Sequence, residues 1–211
     1  MMNEKNIYES TIKNAFDEWA DTYEIEVVPK LKQRGYSYES LANTILCEAG
    51  YKPGMKLLEL GTGTGVLGAE VYKLSQADIT GVDISKKMLQ QAAKKNIYIN
   101  LINGNADIIP FDDQSFHIIY TAFMIHSVLN QLKALTEMKR VKTEDGKIIV
   151  VDLFPLNQNI ARISKEHSKK YEYGALANYL LREELEEVIQ SAGLTVYGKG
   201  QLGEERAHIS Y

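Results

Sequence analysis

The sequence is poor in cysteine, with Cys47 the only one among 211 residues. One thiol cannot form a disulfide within the chain, and structural zinc sites or thiol-dependent metalloid enzymes need several clustered thiols. We therefore expect no metal site and a reducing compartment, the cytoplasm. Cys47 itself is expected to lie in the core.

Long apolar runs are also missing. No stretch of about 18 apolar residues, the length needed for a membrane span, occurs anywhere in the sequence. The first ten residues, MMNEKNIYES, are polar and acidic, whereas an export signal is basic and then apolar. We expect a protein with no membrane span that stays in the cytoplasm.

Cations are not in excess. Lys and Arg number 24 against 28 Asp and Glu, which gives a formal net charge of −4. Nucleic-acid binders need a local surplus of cations to displace counterions from phosphates. Bulk nucleic acid is therefore not an expected partner, and the composition leaves the oligomeric state open.

What is present fits one globular domain spanning residues 1–211. The sequence is 45% hydrophobic and 25% charged, close to the average of globular proteins. At this length a core can be stable without disulfides or metals.

The pattern divides at about residue 53. Residues 1–52 show helical spacing of apolar and aromatic residues, including Phe16 and Trp19, and predict a helical cap. Beyond it, short apolar runs alternate with helical patterns, which indicates βαβ units and a parallel sheet. The predicted strands lie near 55–60, 78–82, 98–102, 116–121, 146–152, 194–199 and 205–211, and the helices near 64–74, 86–95, 127–141 and 182–192.

The strongest motif is LLELGTGTG, Leu57 to Gly65, in which an apolar strand runs into Gly61, Gly63 and Gly65 and then into a helix. Glycines let the backbone turn sharply and approach a ligand closely, and the helix N-terminus offers unpaired N–H groups. Open α/β sheets bind ligands at the carboxyl ends of their strands. The motif therefore predicts a small-molecule site.

Two ligand classes fit this loop. The spacing from Gly63 to Gly68, with Asp83 about twenty residues later, satisfies the dinucleotide fingerprint, so an NAD(P)-dependent oxidoreductase is one alternative. Against it, the loop already begins at Gly61, Glu59 stands inside the strand where an apolar residue is usual, and a third acidic residue, Asp107, follows the third strand.

These residues resemble the class I S-adenosylmethionine-dependent methyltransferases over roughly residues 55–200. The similar segments are ELGTGTG (59–65), GVDIS (81–85) and GNADIIPFDDQSFHIIY (104–120). WADTYE (19–24) and FMIHSV (123–128) resemble the small-molecule branch that includes the ubiquinone and menaquinone biosynthesis methyltransferases. The Pro-Pro-Tyr-type tetrapeptide of enzymes that methylate nucleobase or glutamine amino groups is absent, which disfavours those substrates.

The resemblance implies S-adenosyl-L-methionine as the cofactor and assigns its site. The amino-acid part of the cofactor would contact Gly61, Thr62, Gly63 and Gly65, with Glu59 supporting the loop. The ribose hydroxyls would donate to Asp83, and the adenine amino group would donate to Asp107, with Ala106 and Ile108 beside it. The adenine would be flanked by Ile84 and Met88, and Tyr23 would close over the cofactor.

The resemblance also implies a fold and a function. The expected fold is an α/β, Rossmann-like three-layer sandwich whose seven-stranded, mostly parallel sheet has an antiparallel last strand. Residues 53–211 would form the cofactor-binding core, and the helical cap together with a lid segment at 157–179 would form the pocket for a small-molecule methyl acceptor. A non-catalytic cofactor-binding protein of the same fold is a further alternative.

His126 is the candidate catalytic base, because it follows the fourth predicted strand on the ligand side. The alternative is a histidine that only hydrogen-bonds backbone groups. Asp152 ends the fifth strand, where it either contacts substrate or caps the strand. Asp112 and Asp113 are interpreted as a turn rather than a metal pair.

Overall fold

The computed structural model describes residues 4–155, 157–159, 177–202 and 207–210, with only the backbone given for 202 and 207–210. Most of the expected lid segment, residues 160–176, lies outside the described residues. In chain order the elements are α1 (Glu4–Trp19), α2 (Tyr23–Gln33), α3 (Tyr38–Ala49), β1 (Lys56–Leu60), α4 (Val66–Ser75), β2 (Asp78–Asp83), α5 (Lys86–Ala93), β3 (Tyr98–Asn103), β4 (Phe116–Ala122), a 3₁₀ turn (Ile125–Ser127), α6 (Gln131–Val141), β5 (Lys142–Leu153), α7 (Arg182–Ser191), β6 (Lys199–Leu202) and β7 (Ala207–Ser210).

The sheet is built around five parallel strands in the order β3-β2-β1-β4-β5. The prediction of a Rossmann-like α/β fold with a parallel sheet is confirmed. Beyond β5, β7 pairs antiparallel with β5 and β6 pairs antiparallel with β7. The reversal of strand order between β1 and β4 leaves a crevice at their carboxyl ends, which is where such sheets bind ligands.

Alternating side chains of the strands form two cores, one on each face of the sheet. Leu57 of β1 packs with α3 and α4 on one face, while Leu58 of β1 packs with α6 and α7 on the other. This period of two follows from the pleat of a strand, and the mostly apolar sequence of β1 fits a strand buried on both faces.

Helix α3 shows how the helical cap joins this core. Its N-terminus is capped by Ser37, whose hydroxyl accepts from the Ser40 N–H at 3.1 Å, and it ends at Gly50 with a φ of 63°. Leu41, Ala42 and Ile45 lie on one face and are fully buried against the sheet. The cap is thus partly continuous with the core.

Three local predictions were wrong. The helix expected from residue 127 begins at Gln131, because the Asn130 side chain accepts from the Lys133 N–H and caps it there. The strand expected over 194–199 begins only at Lys199, because β7 takes the edge of β5 and Leu194 donates to the Ile189 carbonyl at the end of α7. Cys47 is exposed, on the outer side of α3.

Among the described residues, no helix is both long and apolar enough to cross a bilayer.

Replacing Ile45 with alanine tests the packing of α3. Ile45 is 0% exposed, so Ile45→Ala should lower the free energy of unfolding by about 2–5 kcal/mol in urea denaturation followed by circular dichroism. Ile25→Ala is the matched control, because Ile25 is 76% exposed and its truncation should change stability by less than about 0.5 kcal/mol. Equal, small effects of both variants would contradict the packing of α3 on the sheet.

Candidate functional site

A cleft of about 860 Å³ opens at the carboxyl ends of β1, β2, β3 and β4. Its floor is formed by the ends of these strands and the loops that follow them, and one wall is formed by α1. The lining includes Tyr8, Glu9, Ile12 and Phe16 of α1, Gly61 and Gly63 of the glycine loop, Asp83 and Ile84 after β2, Asn105 to Asp107 after β3, and Phe123, Met124 and Ser127 to Leu129 after β4. This volume includes solvent at the open mouth of the cleft, and its position at the carboxyl ends of parallel strands is typical of small-molecule sites.

The glycine loop needs its glycines for two different reasons. Gly61, Gly63 and Gly65 all have positive φ, at 72°, 54° and 77°, which side chains rarely adopt. A Cβ on Gly61 would lie 2.5 Å from Met124 Cγ, so neighbouring side chains also exclude one there. At Gly63 nothing lies within 4 Å of the Cβ position, so this backbone borders the open cleft.

A buried carboxyl supports the loop from below. Glu59 of β1 is 2% exposed, and its Oε2 accepts from the Tyr98 hydroxyl of β3 at 2.6 Å. A Cβ on Gly68 of α4 would lie 2.1 Å from that hydroxyl, so α4 can approach only because residue 68 is a glycine. Burial raises the pKa of Glu59 to about 8, although the Tyr98 hydrogen bond opposes the shift.

Asp83, at the end of β2, links the glycine loop to α5. Its Oδ2 accepts from the Gly63 N–H at 2.7 Å and its Oδ1 accepts from the Ser85 N–H at 2.8 Å. Burial raises the pKa of Asp83 to about 6, with the backbone donors of Ser85 and Gly63 acting in the opposite direction. A carboxylate offers about four acceptor sites, so Asp83 can also accept from a donor in the cleft.

Helix α1 lies across the mouth of the cleft. At one side the Lys5 ammonium lies 2.7 Å from Asp107 Oδ2, and Asn105 Nδ2 donates to Glu9 Oε1 at 2.7 Å. At the other side Asp17 accepts from the Ser85 hydroxyl at 2.6 Å and from the Lys87 N–H at 3.1 Å. The sequence analysis expected the helical cap to form part of the pocket but did not single out Tyr8 and Ile12, although their spacing of four residues from each other and from Phe16 places all three on one helix face.

The charges of the cleft are of one sign. Glu9, Asp83 and Asp107 line it, and the described lining residues include no lysine, arginine or histidine. Carboxylates accept hydrogen bonds and attract cations, so these acceptors fit the ribose hydroxyls, the adenine amino group and the positively charged groups of S-adenosylmethionine. A dinucleotide pyrophosphate would bring negative charge beside Asp83, while the Lys5 ammonium, outside the lining, is already paired with Asp107 and Glu9.

Eight of the predicted cofactor residues line the cleft: Tyr23, Gly61, Gly63, Asp83, Ile84, Met88, Ala106 and Asp107. The other four lie beside or beneath it. Thr62 donates its hydroxyl to the Glu59 and Val82 carbonyls, Gly65 packs against Ala92, and Ile108 is 61% exposed. Glu59 lies under the loop, in the supporting position that the resemblance implies.

His126 lies next to the cleft but is not part of its lining. Its Nδ1 is 2.6 Å from Oδ1 of the buried Asp152, its backbone N–H donates to Oδ2 of the same carboxylate at 3.1 Å, and its ring stacks on Tyr179. The histidine thus has a side-chain partner rather than backbone partners alone. Within the described ranges, no group of three or more His, Cys, Asp or Glu residues could hold a metal ion.

Substitution of Glu59 should change the pH dependence of stability. Burial raises its pKa from 4.5 to about 8, so the folded state keeps a proton that the unfolded state releases between these values. The stability that this proton contributes is complete below about pH 4.5 and is lost as the pH rises to about 8. In Glu59→Gln the fall of unfolding free energy over this range should be smaller, by up to roughly 1.4 kcal/mol per pH unit.

The measurement is urea denaturation at several pH values. Glu144→Gln removes an exposed glutamate at the start of β5 and should keep the wild-type pH dependence. An unchanged profile in Glu59→Gln would show that Glu59 does not titrate in this range.

Comparisons with known proteins agree with this geometry. The family model described as "Methyltransferase domain" matches residues 51–193. A demethylmenaquinone methyltransferase of Chlorobaculum tepidum is 32% identical over 150 residues, which is 70% of this chain and 62% of that protein. A ubiquinone/menaquinone biosynthesis C-methyltransferase of Shewanella pealeana is 34% identical over 122 residues, covering 54% of this chain and 49% of that protein. The matched region thus spans about half to three fifths of the length of these relatives.

Solved structures show the same fold. A SAM-dependent methyltransferase from Thermotoga maritima superposes with a TM-score of 0.70 at 21% identity, covering 93% of this chain and 97% of that one. A SAM-dependent methyltransferase from Aquifex aeolicus gives 0.65 at 20% identity, covering 87% and 96%. The resemblance found in the sequence is confirmed, and the chain belongs to the methyltransferase-domain family.

Proposed function

We propose that this protein is an S-adenosylmethionine-dependent methyltransferase that acts on a small-molecule acceptor. The observation that carries the proposal is the Asp83 carboxylate, held beside the Gly63 backbone in a cleft whose described lining has three carboxylates and no cation. This arrangement suits a ligand rich in donors and positive charge. Asp83 alone would also suit the ribose of NAD(P), but Asp107 and Glu9 add negative charge to the cleft and so disfavour a cofactor with anionic phosphates.

The residues that line the cleft have separate roles in binding the cofactor. Gly61 and Gly63 offer close backbone approach, Asp83 accepts from the ribose hydroxyls, and Asp107 accepts from the adenine amino group. Ile84, Met88 and Ala106 flank the adenine, and Tyr23 closes over the cofactor. Thr62, Gly65, Glu59 and Ile108 act indirectly, by fixing the loops from which these residues project.

The acceptor occupies the remaining, apolar part of the cleft. Ile12, Phe16, Phe123 and Val128 contribute apolar and aromatic surface there. Apolar lining favours an acceptor with a large apolar portion, because its burial is stabilised by removal of that surface from water. The relatives named for demethylmenaquinone and ubiquinone/menaquinone biosynthesis support this class of acceptor.

When bound, S-adenosylmethionine supplies an electrophilic methyl group whose transfer is an in-line displacement. The chain contributes mainly positioning, since the cleft walls orient the acceptor and α1 excludes water. His126 serves as the base where the acceptor must lose a proton. Asp152 orients its ring through Nδ1, which leaves Nε2 as the nitrogen that accepts a proton.

The whole chain supports this site as a single domain. We propose that β6 and β7 complete a seven-stranded, mostly parallel sheet with an antiparallel last strand, because Val150–Leu153 of β5 runs opposite all four residues of β7. The helical cap, 1–52, and the core, 53–211, form one unit, since α3 packs directly on the sheet. A location in the cytoplasm accords with the single cysteine.

Substitution of Asp83 tests the cofactor assignment. Asp83→Asn removes the charge and part of the acceptor capacity, so the affinity for S-adenosylhomocysteine in isothermal calorimetry should fall about tenfold or more. Asp78→Asn is the matched control, because Asp78 is exposed at the opposite end of β2 and its loss should leave affinity unchanged.

Two results would contradict the proposed function. Binding of NAD or NADP by the wild type, without binding of S-adenosylhomocysteine, would place the chain among oxidoreductases. Tight S-adenosylhomocysteine binding without methyl transfer to any member of a broad acceptor panel, including demethylmenaquinone, would indicate a non-catalytic cofactor-binding protein.

Substitution of His126 tests the role of the base. His126→Ala should lower kcat by about 10²-fold or more while the affinity for S-adenosylhomocysteine stays within twofold, because His126 is not among the residues proposed to bind the cofactor. Asp152→Asn should lower kcat and shift its pH profile. His117→Ala is the control, since His117 accepts from the Lys56 N–H at the other end of the sheet. Full activity of His126→Ala would remove His126 from the mechanism.

A further inference from the structure

Helix α1 differs from core helix α3 in how few of its residues are buried. Of its 16 residues only Ile12 is buried, whereas α3 buries five of its 12. The rest of its attachment includes polar contacts to the loops around the cleft. Elements with little buried apolar surface open at low free-energy cost, so α1 is the part of the cleft wall best able to move.

The polar contacts of α1 reach the loops after three strands of the sheet. They include Lys5 to Asp107 after β3, Asp17 to Ser85 after β2, and the Tyr8 hydroxyl to the Ser127 carbonyl after β4, at 3.3 Å. Between these contacts Tyr8, Ile12 and Phe16 face the cleft. A ligand that enters over this edge must pass α1.

The two ends of α1 differ in their relation to the cleft. Lys5 and Asp17 are twelve residues apart, which is about 18 Å along a helix. Asp107, the partner of Lys5, lines the cleft, whereas Ser85, the partner of Asp17, does not. Asp17 also accepts from the Lys87 N–H at the start of α5, close to the turn that leads from α1 to α2. The Lys5 end can therefore be released by a ligand while the Asp17 end stays attached.

We propose that α1 is a lid over the cleft and that the Lys5–Asp107 ion pair is its latch. A ligand that donates a hydrogen bond to Asp107 competes with the Lys5 ammonium for the same carboxylate, so entry and release of the ligand exchange one partner of Asp107 for the other. The lid turns about the Asp17 end. The competition between a ligand and Lys5 rests on the proposed function. The role of the Lys5–Asp107 ion pair in holding α1 does not.

Lys5→Met, with Lys13→Met as the matched control, tests the latch. The two lysines lie on the same helix with similar side-chain exposure, 35% and 37%, but Lys13 pairs only with Asp17 within α1 among the contacts described. In hydrogen exchange of the full chain without ligand, the amides of α1 should exchange about fivefold faster in Lys5→Met and at the wild-type rate in Lys13→Met. Equal rates in the two variants would overturn the latch.

The lid function is tested by the rate at which S-adenosylhomocysteine associates. Trp19 is the only tryptophan of the chain and lies in α1, so its fluorescence in stopped-flow mixing reports on the lid. Association should be about fivefold faster in Lys5→Met, because the latch that holds α1 over the empty cleft is absent, and unchanged in Lys13→Met. Faster hydrogen exchange with unchanged association would overturn α1 as a lid. If the wild type did not bind S-adenosylhomocysteine, the proposed function would fail while hydrogen exchange still decided the latch.

Discussion

The carboxylate of Asp83 accepts hydrogen bonds from the backbone N–H groups of Gly63 and Ser85, which belong to two different loops. Through Gly63 it fixes the glycine loop after β1, and through Ser85 it fixes the start of α5. Because Ser85 in turn donates to Asp17, the position of α1 also depends on this carboxylate. Burial of Asp83 disfavours its charge, so these donors are what keep an anion in the cleft.

The placement of anions explains how one glycine spacing can serve different cofactors. The loop from Gly61 to Gly68 supplies room and backbone N–H groups, which by themselves favour an anion. Asp83, Asp107 and Glu9 shift the preference of the cleft towards hydrogen-bond donors and cations. At the N-terminus of α5, where a phosphate could be held by free N–H groups, the Asp17 carboxylate already accepts from Lys87 and the Ser85 hydroxyl accepts from Met88. A phosphate-rich cofactor therefore meets repulsion in the cleft and occupied donors beside it.

The sequence predicts those parts of the site that depend on local structure. Gly61, Gly63, Asp83 and Asp107 follow directly from strand ends, and parallel strands bring their carboxyl ends together, so these residues could be placed before the structure was known. The contact between Lys5 and Asp107 joins residues 102 positions apart, and no local pattern indicates it. The direction of the His126 ring was equally hidden, because it depends on a 3₁₀ turn and on the distant Asp152. The segment from Leu194 to Lys199 alternates apolar and polar residues like a strand. Pairing, however, depends on which segment lies beside β5 in the folded chain, and that segment is β7.

Binding strength and exchange rate are controlled by different parts of this protein. Glu59 and Asp83 are buried and hold the glycine loop to the sheet independently of α1, so they set how strongly a ligand is held. Helix α1 has one buried side chain and several polar contacts, so it can move, and it forms a wall of the cleft only in the closed position. A ligand stabilises that closed state by covering Tyr8, Ile12 and Phe16, while its donor at Asp107 weakens the contact that holds α1 in its absence. The closed helix therefore depends on the ligand when the cleft is filled and on Lys5 when it is not, and this exchange keeps the apolar wall covered in both states.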